Sequence, residues 1–288
     1  MLKYLCKKCG QTFLGVFMKK IAIITGASSG IGRSFCKQYD AKNFDEIWTI
    51  ALDLEGLESL QKECKTKIVP LAYDLTVTES FEDFKARLKK AKPDVQLLIN
   101  CSGFGKFARY DEIKVETSAN MIDLNCKATM RMTEYTLPYM SKGARIMNIA
   151  SVAGWQPIPF INVYAATKAF VISYSRALNR ELKPRGISVT TICPFWTKTA
   201  FFKRAKDNDA MQEVVTKYVA MYDPDFVVKK AMKATEKRKD LVVVGFKSKM
   251  QCWLVKTLPH SWIMNIWMRQ QKLNKKYKDR PVNPDAGK

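Results

Sequence analysis

Short apolar runs alternate with longer amphipathic runs along the chain from Lys20 onward. The amphipathic runs have helical periodicity and predict helices near residues 30–41, 55–64, 78–91, 117–141, 162–183 and 224–237. The apolar runs are rich in Ile and Val and predict seven strands: KIAIITG, EIWTIAL, KIVPLAY, VQLLIN, ARIMNIA, ISVTTIC and LVVVGF. Such alternation is typical of α/β proteins, in which helices cover both faces of a parallel sheet. The pattern therefore predicts one doubly wound domain with a seven-stranded parallel sheet.

Neither an internal repeat nor a linker rich in Pro, Gly or Ser interrupts this pattern. We therefore predict an N-terminal extension over residues 1–17, a single α/β domain over 18–245 and a C-terminal extension over 246–288. The boundary at Met18 is chosen because MKKIAIITG has the form of a natural start. The preceding stretch is not expected to be an export signal, since its apolar part is short and lacks a small-residue cleavage site.

Composition supports a large core, because 47% of the residues are apolar. The formal charge of +22 is concentrated near the C-terminus, where residues 229–288 contain 16 Lys or Arg and 4 Asp or Glu. Charge alone does not indicate nucleic-acid binding, and the chain carries no recognition motif for it, so no nucleic-acid partner is predicted.

The tail from Ser248 to Arg280 combines three tryptophans with aliphatic and basic residues. Such a composition is typical of an amphipathic segment that lies on a membrane surface and attracts anionic head groups. The same residue types also form subunit contacts and cleft covers, so both interpretations stay open. None of the apolar runs in the sequence has the length of about 20 residues that a membrane span requires.

The eight cysteines are scattered, and several fall in apolar runs, which favours buried free thiols in a reducing cytoplasm over a disulfide framework. Cys6 and Cys9 form a CxxC pair, but neither a second pair nor a histidine cluster follows, and His260 is the sole histidine. Because a structural zinc site needs four ligands, no metal is predicted. The expected location is the cytoplasm, with peripheral membrane contact through the tail as an addition.

A glycine-rich loop, TGASSGIG, follows the first predicted strand of the sheet and opens a helix. In that context a glycine loop lets the backbone approach a pyrophosphate, which then faces the helix N-terminus. The spacing is G-x-x-x-G-x-G, and a simple strand–helix turn is the alternative. The loop predicts a Rossmann-like dinucleotide site whose contacts include Gly26, Ser28, Ser29, Gly30, Ile31 and Gly32.

Asp53 ends the second strand of the sheet, 21 residues after Gly32. An acid at about this distance accepts hydrogen bonds from the adenosine ribose and repels a 2′-phosphate, which favours NAD, with NADP as the alternative. Asp53 is equally placed to be the N-cap of the helix that begins LEGLESL.

Tyr164 and Lys168 stand four positions apart in NVYAATKAF, at the start of a predicted helix. This spacing puts both side chains on one helix face. An ammonium beside a phenol favours the phenolate, which would suit the tyrosine to exchange protons near neutrality.

Together, the glycine loop and this pair resemble the short-chain dehydrogenase/reductase family over roughly residues 19–245. Ser151 in IASVAG stands 13 residues before Tyr164 and matches the family's catalytic serine, while Asn125 in DLNCKA matches its helix asparagine. The resemblance implies that Tyr164 is the general acid or base and that Ser151 binds the substrate oxygen. It further implies that Lys168 holds the nicotinamide ribose and that Asn125 positions a water.

The resemblance also implies further cofactor contacts. Asp74 in AYDLT, followed by Leu75, resembles the acid that contacts the adenine, and Asn100 begins NCSGFG, which resembles the family's N-A-G segment. Adding Pro194 and Thr197 in CPFWTKT, the implied cofactor-binding set is Gly26, Ser28, Ser29, Gly30, Ile31, Gly32, Asp53, Asp74, Leu75, Asn100, Tyr164, Lys168, Pro194 and Thr197.

Two departures from the family pattern stand beside these residues. Cys101 and Ser102 replace the small residues of the N-A-G segment, and Phe195 occupies the position where the family often has glycine.

The segments next to the catalytic residues are apolar and aromatic, namely GWQPIPFINVY, FGKF and PFWTKTAFF. Such walls suit a hydrophobic substrate. The sequence thus predicts an NAD(P)-dependent oxidoreductase that interconverts a secondary alcohol and a ketone on a hydroxysteroid or lipid-like molecule. The alternative is a non-catalytic dinucleotide-binding sensor. The family resemblance implies a homo-oligomer.

Overall fold

The computed structural model describes residues 3–5, 12–14, 18–40, 42–206, 214–218, 220–278 and 281–282. Strands β1 (Lys3–Leu5) and β2 (Thr12–Leu14) form a short antiparallel pair of their own. The strands of the main sheet are β3 (Lys20–Thr25), β4 (Glu46–Ala51), β5 (Lys67–Ala72), β6 (Asp94–Asn100), β7 (Arg145–Ile149), β8 (Ser188–Cys193) and β9 (Leu241–Val243).

The main sheet has the spatial order β5-β4-β3-β6-β7-β8-β9, and every neighbouring pair is parallel. The strand order reverses direction between β3 and β6, and in doubly wound folds ligands bind at the carboxyl ends of the strands beside such a point. The predicted seven-stranded Rossmann-like sheet is confirmed.

The helices with α-helical geometry are α1 (Gly30–Tyr39), α2 (Leu54–Glu58), α3 (Thr78–Ala91), α4 (Val115–Ile122), α5 (Ala128–Thr136), α6 (Asn162–Glu181), α7 (Phe201–Lys206), α8 (Pro224–Glu236), α9 (Phe246–Thr257), α10 (His260–Gln270) and α11 (Leu273–Tyr277). All six predicted helical regions contain α-helix.

Residues of the central strand β3 point alternately into two apolar clusters. Ala22 and Ile24 belong to the cluster beneath α1 and α8, whereas Ile21 and Ile23 belong to the cluster beneath α3 and α5. A strand that is buried on both faces needs apolar residues at every position. Burial on both faces therefore explains the continuous apolar runs of the sequence.

One predicted helix is interrupted. The region 117–141 contains α4 and α5, separated by a π-helical turn over Asp123–Lys127. The side chain of Asn125, within this turn, bonds Thr167 on α6 and the backbone of Phe104. Single π turns within helices often mark functional positions, and this one directs Asn125 toward α6.

Helices α9 to α11 pack on the domain. Cys252 and Val255 on α9 are buried, and Cys252 joins the apolar cluster that contains Val152 and Cys193. Leu273 on α11 is fully buried in a second cluster around Phe107. Within the part of the chain that the structure describes, the helices are too short or too polar to span a membrane.

Candidate functional site

A cavity of about 740 Å³ opens along the carboxyl edge of the sheet. Loops that follow six of the seven strands contribute to its wall. The cavity thus lies at the carboxyl ends of the strands, where the strand order reverses and where doubly wound folds bind their ligands. The predicted site residues that line it are Gly26, Ser28, Ser29, Gly30, Ile31, Gly32, Asp53, Asp74, Leu75, Ser151, Tyr164, Lys168, Pro194 and Thr197.

The glycine loop has the conformation of a phosphate cradle. Gly26 and Gly30 have φ values of +67° and +54°, and a Cβ atom on Gly32 would lie 2.1 Å from the carbonyl oxygen of Gly26. Ser29, the N-cap residue of α1, makes no side-chain capping bond. The first-turn N–H groups of α1 are therefore not satisfied by that side chain and fit an anionic group.

Asp53 performs the capping role that the sequence left open and also lines the cavity. Its Oδ1 accepts a hydrogen bond from the N–H of Gly56 at 2.9 Å, at the start of α2. The carboxylate thus has a local structural partner at the point where a ribose would lie. Its role in cofactor choice stays a prediction.

Arg33 contacts the start of α2, the helix that Asp53 caps, and the sequence analysis did not single it out. Its guanidinium donates to the carbonyl of Gly56 at 2.8 Å and to that of Ser28 at 3.1 Å. It also donates to Ser59 Oγ at 2.8 Å and forms a salt bridge with Glu63. The residue directly follows the last glycine of the loop, and that position was the available signal.

Asp74 forms a turn at the end of β5. Its Oδ1 accepts hydrogen bonds from the N–H of Thr76 at 2.8 Å and from the Thr76 hydroxyl at 2.7 Å. Leu75 is buried at the cavity wall. Both side chains border the end of the cavity that includes Asp53, where the resemblance expects an adenine.

The residues of the proposed reaction centre come from two elements. Ser151 follows β7 and accepts a hydrogen bond from the N–H of Ala153 at 3.1 Å, whereas Tyr164 and Lys168 lie on α6. Gly154 allows these elements to approach, because a Cβ atom there would lie 2.5 Å from the carbonyl carbon of Lys168. The Lys168 Nζ lies 5.7 Å from the ring centroid of Tyr164.

Burial dominates the electrostatics of this pair. It raises the pKa of Tyr164 to about 12, and a hydrogen bond with Ser151 acts in the opposite direction. Burial also lowers the pKa of Lys168 to about 8.

Burial is the main cause of the raised pKa of Tyr164, and the expectation that the ammonium favours the phenolate stays a prediction. Lys168 Nζ donates to the carbonyl of Ile149 at 2.9 Å and so lies against the end of β7.

Two of the predicted residues, Asn100 and Asn125, lie beneath the cavity and do not line it. Asn125 Oδ1 accepts from the N–H of Phe104 at 3.0 Å, and its Nδ2 donates to the Phe104 carbonyl at 2.9 Å. Asn100 Nδ2 donates to Asn148 Oδ1 at 2.8 Å and to Thr133 Oγ1 at 2.9 Å. Both side chains hold the floor of the site in place.

Aromatic side chains form the outer wall beside Tyr164. Phe107 and Phe201 lie with ring centroids 6.3 Å and 5.4 Å from that of Tyr164, and Trp196 packs on Phe107 at 6.0 Å. Helix α10 adds Trp267, whose Nε1 donates to the Pro159 carbonyl at 3.1 Å. The sequence indicated aromatic walls but did not place this tail residue in them.

Among the described residues, no three His, Cys, Asp or Glu side chains lie close enough together to hold a metal ion. The six cysteines in this part of the chain are free thiols, five of them buried. The pair formed by Cys6 and Cys9 lies outside the described residues.

Known proteins are similar to this chain in sequence. A family model described as short chain dehydrogenase matches residues 20–210. An uncharacterized oxidoreductase of Staphylococcus epidermidis is 30% identical over 178 residues, which are 61% of this chain and 77% of that protein. The human protein named very-long-chain 3-oxoacyl-CoA reductase is 27% identical over 254 residues, which are 85% of this chain and 75% of that protein.

Solved structures share the fold. A short-chain dehydrogenase from Sphingobium yanoikuyae, in complex with NADPH, has a TM-score of 0.70 at 24% identity and covers 93% of this chain and 100% of its own. A 3-ketoacyl-(acyl-carrier-protein) reductase from Brucella melitensis, complexed with NADH, has a TM-score of 0.65 at 24% identity. It covers 79% of this chain and 98% of its own.

Proposed function

The chain belongs to the short-chain dehydrogenase family, and from that premise we propose that it is an NAD(P)-dependent oxidoreductase that interconverts a ketone and a secondary alcohol on a lipid-like substrate. The observation that carries this proposal is the position of Ser151 and Tyr164 within a wall of aromatic side chains. A polar pair that faces an apolar wall suits a substrate with one oxygen on a hydrophobic body.

The residues fit a nicotinamide dinucleotide. The glycine loop and the first turn of α1 would hold its pyrophosphate, Asp53 its adenosine ribose, and Asp74 and Leu75 its adenine. When bound, such a cofactor supplies the site where hydride is donated or accepted. The protein's own contribution is to bind, orient and exchange a proton.

Tyr164 is the proton donor in reduction and the proton acceptor in oxidation. In the polypeptide alone its pKa is about 12, because burial disfavours the phenolate. The hydroxyl is therefore protonated near neutrality and ready to donate to a carbonyl oxygen. Ser151 bonds the same oxygen and stabilises the negative charge that develops there.

Lys168 holds the nicotinamide ribose and adds a positive charge near the phenol. Asn125 acts as a positioning residue, since its side chain fixes the loop at Phe104 and bonds the hydroxyl of Thr167 on α6 at 3.0 Å. Together these contacts fix the face of α6 that carries both Tyr164 and Lys168.

For the substrate, we propose a 3-oxoacyl thioester or a related acyl-chain ketone. The relative from humans that is named a very-long-chain 3-oxoacyl-CoA reductase matches 85% of this chain. Hydroxysteroids are the second candidate, because the aromatic wall also suits a flat polycyclic body. The cavity also includes Lys217, Gln251 and Gln270, which provide polar contacts for a head group at its outer end.

The test is a panel of acyl thioesters, steroids and simple aliphatic ketones, each assayed with NADH and NADPH by absorbance of the reduced nicotinamide. The proposal predicts the highest kcat/KM for a long-chain ketone. Tyr164→Phe should lower kcat by about 10²- to 10⁴-fold while cofactor affinity is retained. Tyr139→Phe, which removes a hydroxyl far from the cavity lining, is the matched control.

A sensor that binds dinucleotide without turnover is the alternative from another class. Tight cofactor binding with no conversion of any compound in the panel would favour it.

The proposal also includes a cytoplasmic location and a homo-oligomer. The free thiols support the location, and the family resemblance implies the oligomer. Sedimentation velocity would test the oligomer directly.

A further inference from the structure

An exposed apolar stripe runs along α9. Phe246, Met250, Trp253 and Leu254 recur at the i, i+4, i+7 and i+8 spacing that places them on one face, and each is exposed to solvent. Phe246 is 80% exposed and Trp253 is 64% exposed. The opposite face of α9 is buried in the domain through Ser248, Cys252 and Val255.

Helix α10 extends this surface. Trp262 is 61% exposed, and Ile266, one turn further along, is 54% exposed. We refer to the six residues of both helices as the apolar rim: Phe246, Met250, Trp253, Leu254, Trp262 and Ile266.

Positive charge surrounds the apolar rim. By helical periodicity Lys247 lies on one side of the α9 stripe, and Lys249 and Lys256 lie on the other. All three lysines are exposed. Residues 246–278 contain seven Lys, one Arg and no Asp or Glu. The surface therefore combines tryptophan-rich apolar area with cations of one sign.

The rim also borders the cavity. Leu254 and Ile266 are exposed and at the same time line the cavity wall. A molecule in contact with the rim is thus next to the space that leads to Tyr164.

We propose that the apolar rim seats this protein on a bilayer that contains anionic lipids, and that an acyl-chain substrate enters the cavity from that bilayer. The interfacial binding itself depends only on the exposed stripe and its lysines. The entry route rests on the proposed function.

Charge favours a bilayer over a second copy of the chain. Two copies that met through this surface would bring Lys247, Lys249 and Lys256 of one copy close to the same three lysines of the other, and residues 246–278 contain no acidic partner for them. Anionic head groups supply the missing negative charge, and the tryptophan side chains suit the boundary between head groups and acyl chains.

The experiment is sedimentation of the full chain, without substrate, in the presence of lipid vesicles. One set of vesicles contains phosphatidylcholine alone, and the other contains phosphatidylcholine with roughly 30% phosphatidylglycerol, which gives the membrane a negative surface potential. Binding is expected to the anionic vesicles and to decrease with salt. In vesicles with brominated acyl chains, tryptophan fluorescence should be quenched, and Trp253→Phe with Trp262→Phe should remove most of the quenching.

Two variant pairs test the two components. Lys247→Gln with Lys249→Gln should weaken binding to anionic vesicles by roughly 25-fold, about fivefold for each lysine. The matched control is Lys89→Gln with Lys90→Gln, an exposed pair at the end of α3. Trp253→Gln with Trp262→Gln should also abolish vesicle binding, whereas Met18→Gln, at the opposite edge of the sheet, should not.

These outcomes separate the proposal from its rivals. Turnover of a water-soluble short-chain substrate should be unchanged in the Trp253→Gln variant, because Trp253 does not line the cavity. Loss of self-association in this variant, together with absence of vesicle binding by the wild type, would identify a subunit interface and overturn the proposal. Vesicle binding without any turnover would uphold the surface and refute the proposed reaction.

Discussion

The side-chain amide of Gln271 makes two hydrogen bonds with the backbone of Lys217, one as acceptor and one as donor. Its Oε1 accepts from the Lys217 N–H at 3.1 Å and its Nε2 donates to the Lys217 carbonyl at 3.1 Å, while Oε1 also accepts from the Thr216 N–H at 3.0 Å. Gln271 is fully buried at the end of α10. One side chain thereby fastens the cavity-lining segment around Lys217 to the C-terminal helices.

Replacing this amide should loosen that segment. Gln271→Met keeps a similar volume but leaves the backbone groups of Thr216 and Lys217 without their partner, at a cost of about 1–3 kcal/mol. We expect faster hydrogen exchange over 214–218 and a higher KM for substrate, with cofactor affinity unchanged. Gln96→Met, which loses side-chain hydrogen bonds at β6, is the control; equal exchange in both variants would contradict the assignment.

The pKa of Lys168 predicts a pH dependence of cofactor binding. Burial lowers this pKa to about 8, so the charged form, which under the proposed function donates to the nicotinamide ribose, is present below that pH and is lost above it. The dissociation constant of the dinucleotide should then rise by up to about tenfold per pH unit in alkaline solution. Titrations that follow protein fluorescence between pH 6.5 and about 9.5 measure this effect.

A second variant isolates the lysine as the cause. Lys168→Arg stays charged throughout this range, so its cofactor affinity should be independent of pH. Lys127→Arg, an exchange at an exposed site, should keep the wild-type profile. A flat wild-type profile would show that the charge of Lys168 does not govern binding.

Two substitutions of Asp53 separate the effect of its charge on cofactor choice from the effect of its N-cap on stability. Asp53→Asn retains a good N-cap for α2 but removes the negative charge, so the ratio of NADPH to NADH efficiency should rise by about tenfold with little loss of stability. Asp53→Arg should shift the ratio further but destabilise the protein by about 1 kcal/mol through loss of the cap. Kinetics with both cofactors and thermal unfolding measure the two effects; an unchanged ratio in both variants would exclude Asp53 from cofactor choice.

Glu46, at the start of β4, predicts a loss of stability in acid. Although burial opposes ionisation, hydrogen bonds from Lys19, Trp48 and Lys67 outweigh it and lower the pKa of Glu46 to about 2. The contribution of the ionised carboxylate is therefore present above about pH 4.5 and is lost as the pH falls from there to about 2.

Glu46→Gln tests this contribution. It should reduce the free energy of unfolding by about 1–2 kcal/mol at neutral pH, and the difference should shrink toward pH 2. Urea unfolding across the pH range measures it. Glu82→Gln, which breaks an exposed pair with Lys85, should cost much less; a deficit at Glu46 that persists in strong acid would point to lost packing as its cause.

The elements that the sequence predicts well are those with a local cause. The strand segment from Ile21 to Ile24 is continuous in apolar residues because both of its faces are buried. The loop from Gly26 to Gly32 has glycines where φ is positive or where two backbone segments approach each other closely. The pattern of either segment can be interpreted without knowing the rest of the fold.

The elements that the sequence predicts poorly depend on contacts between distant residues. The π turn around Asn125 follows from hydrogen bonds to Phe104 and Thr167, and no periodicity within 117–141 reveals it. Likewise, Trp267 of the tail reaches the cavity wall through contacts with distant residues, among them its hydrogen bond to Pro159, 108 positions earlier. The helices of the tail were expected only as an amphipathic segment.

The two ends of the cavity come from different stretches of the polypeptide. The end of the cavity proposed for the adenine and its ribose is lined by residues before 77, whereas the aromatic end is supplied from Phe107 onward and completed by the last helices. Under the proposed function, the molecule that is reduced could therefore change while the adenine end of the site is kept, and a chimera that grafts a foreign tail after Gly245 would reproduce that change in the laboratory.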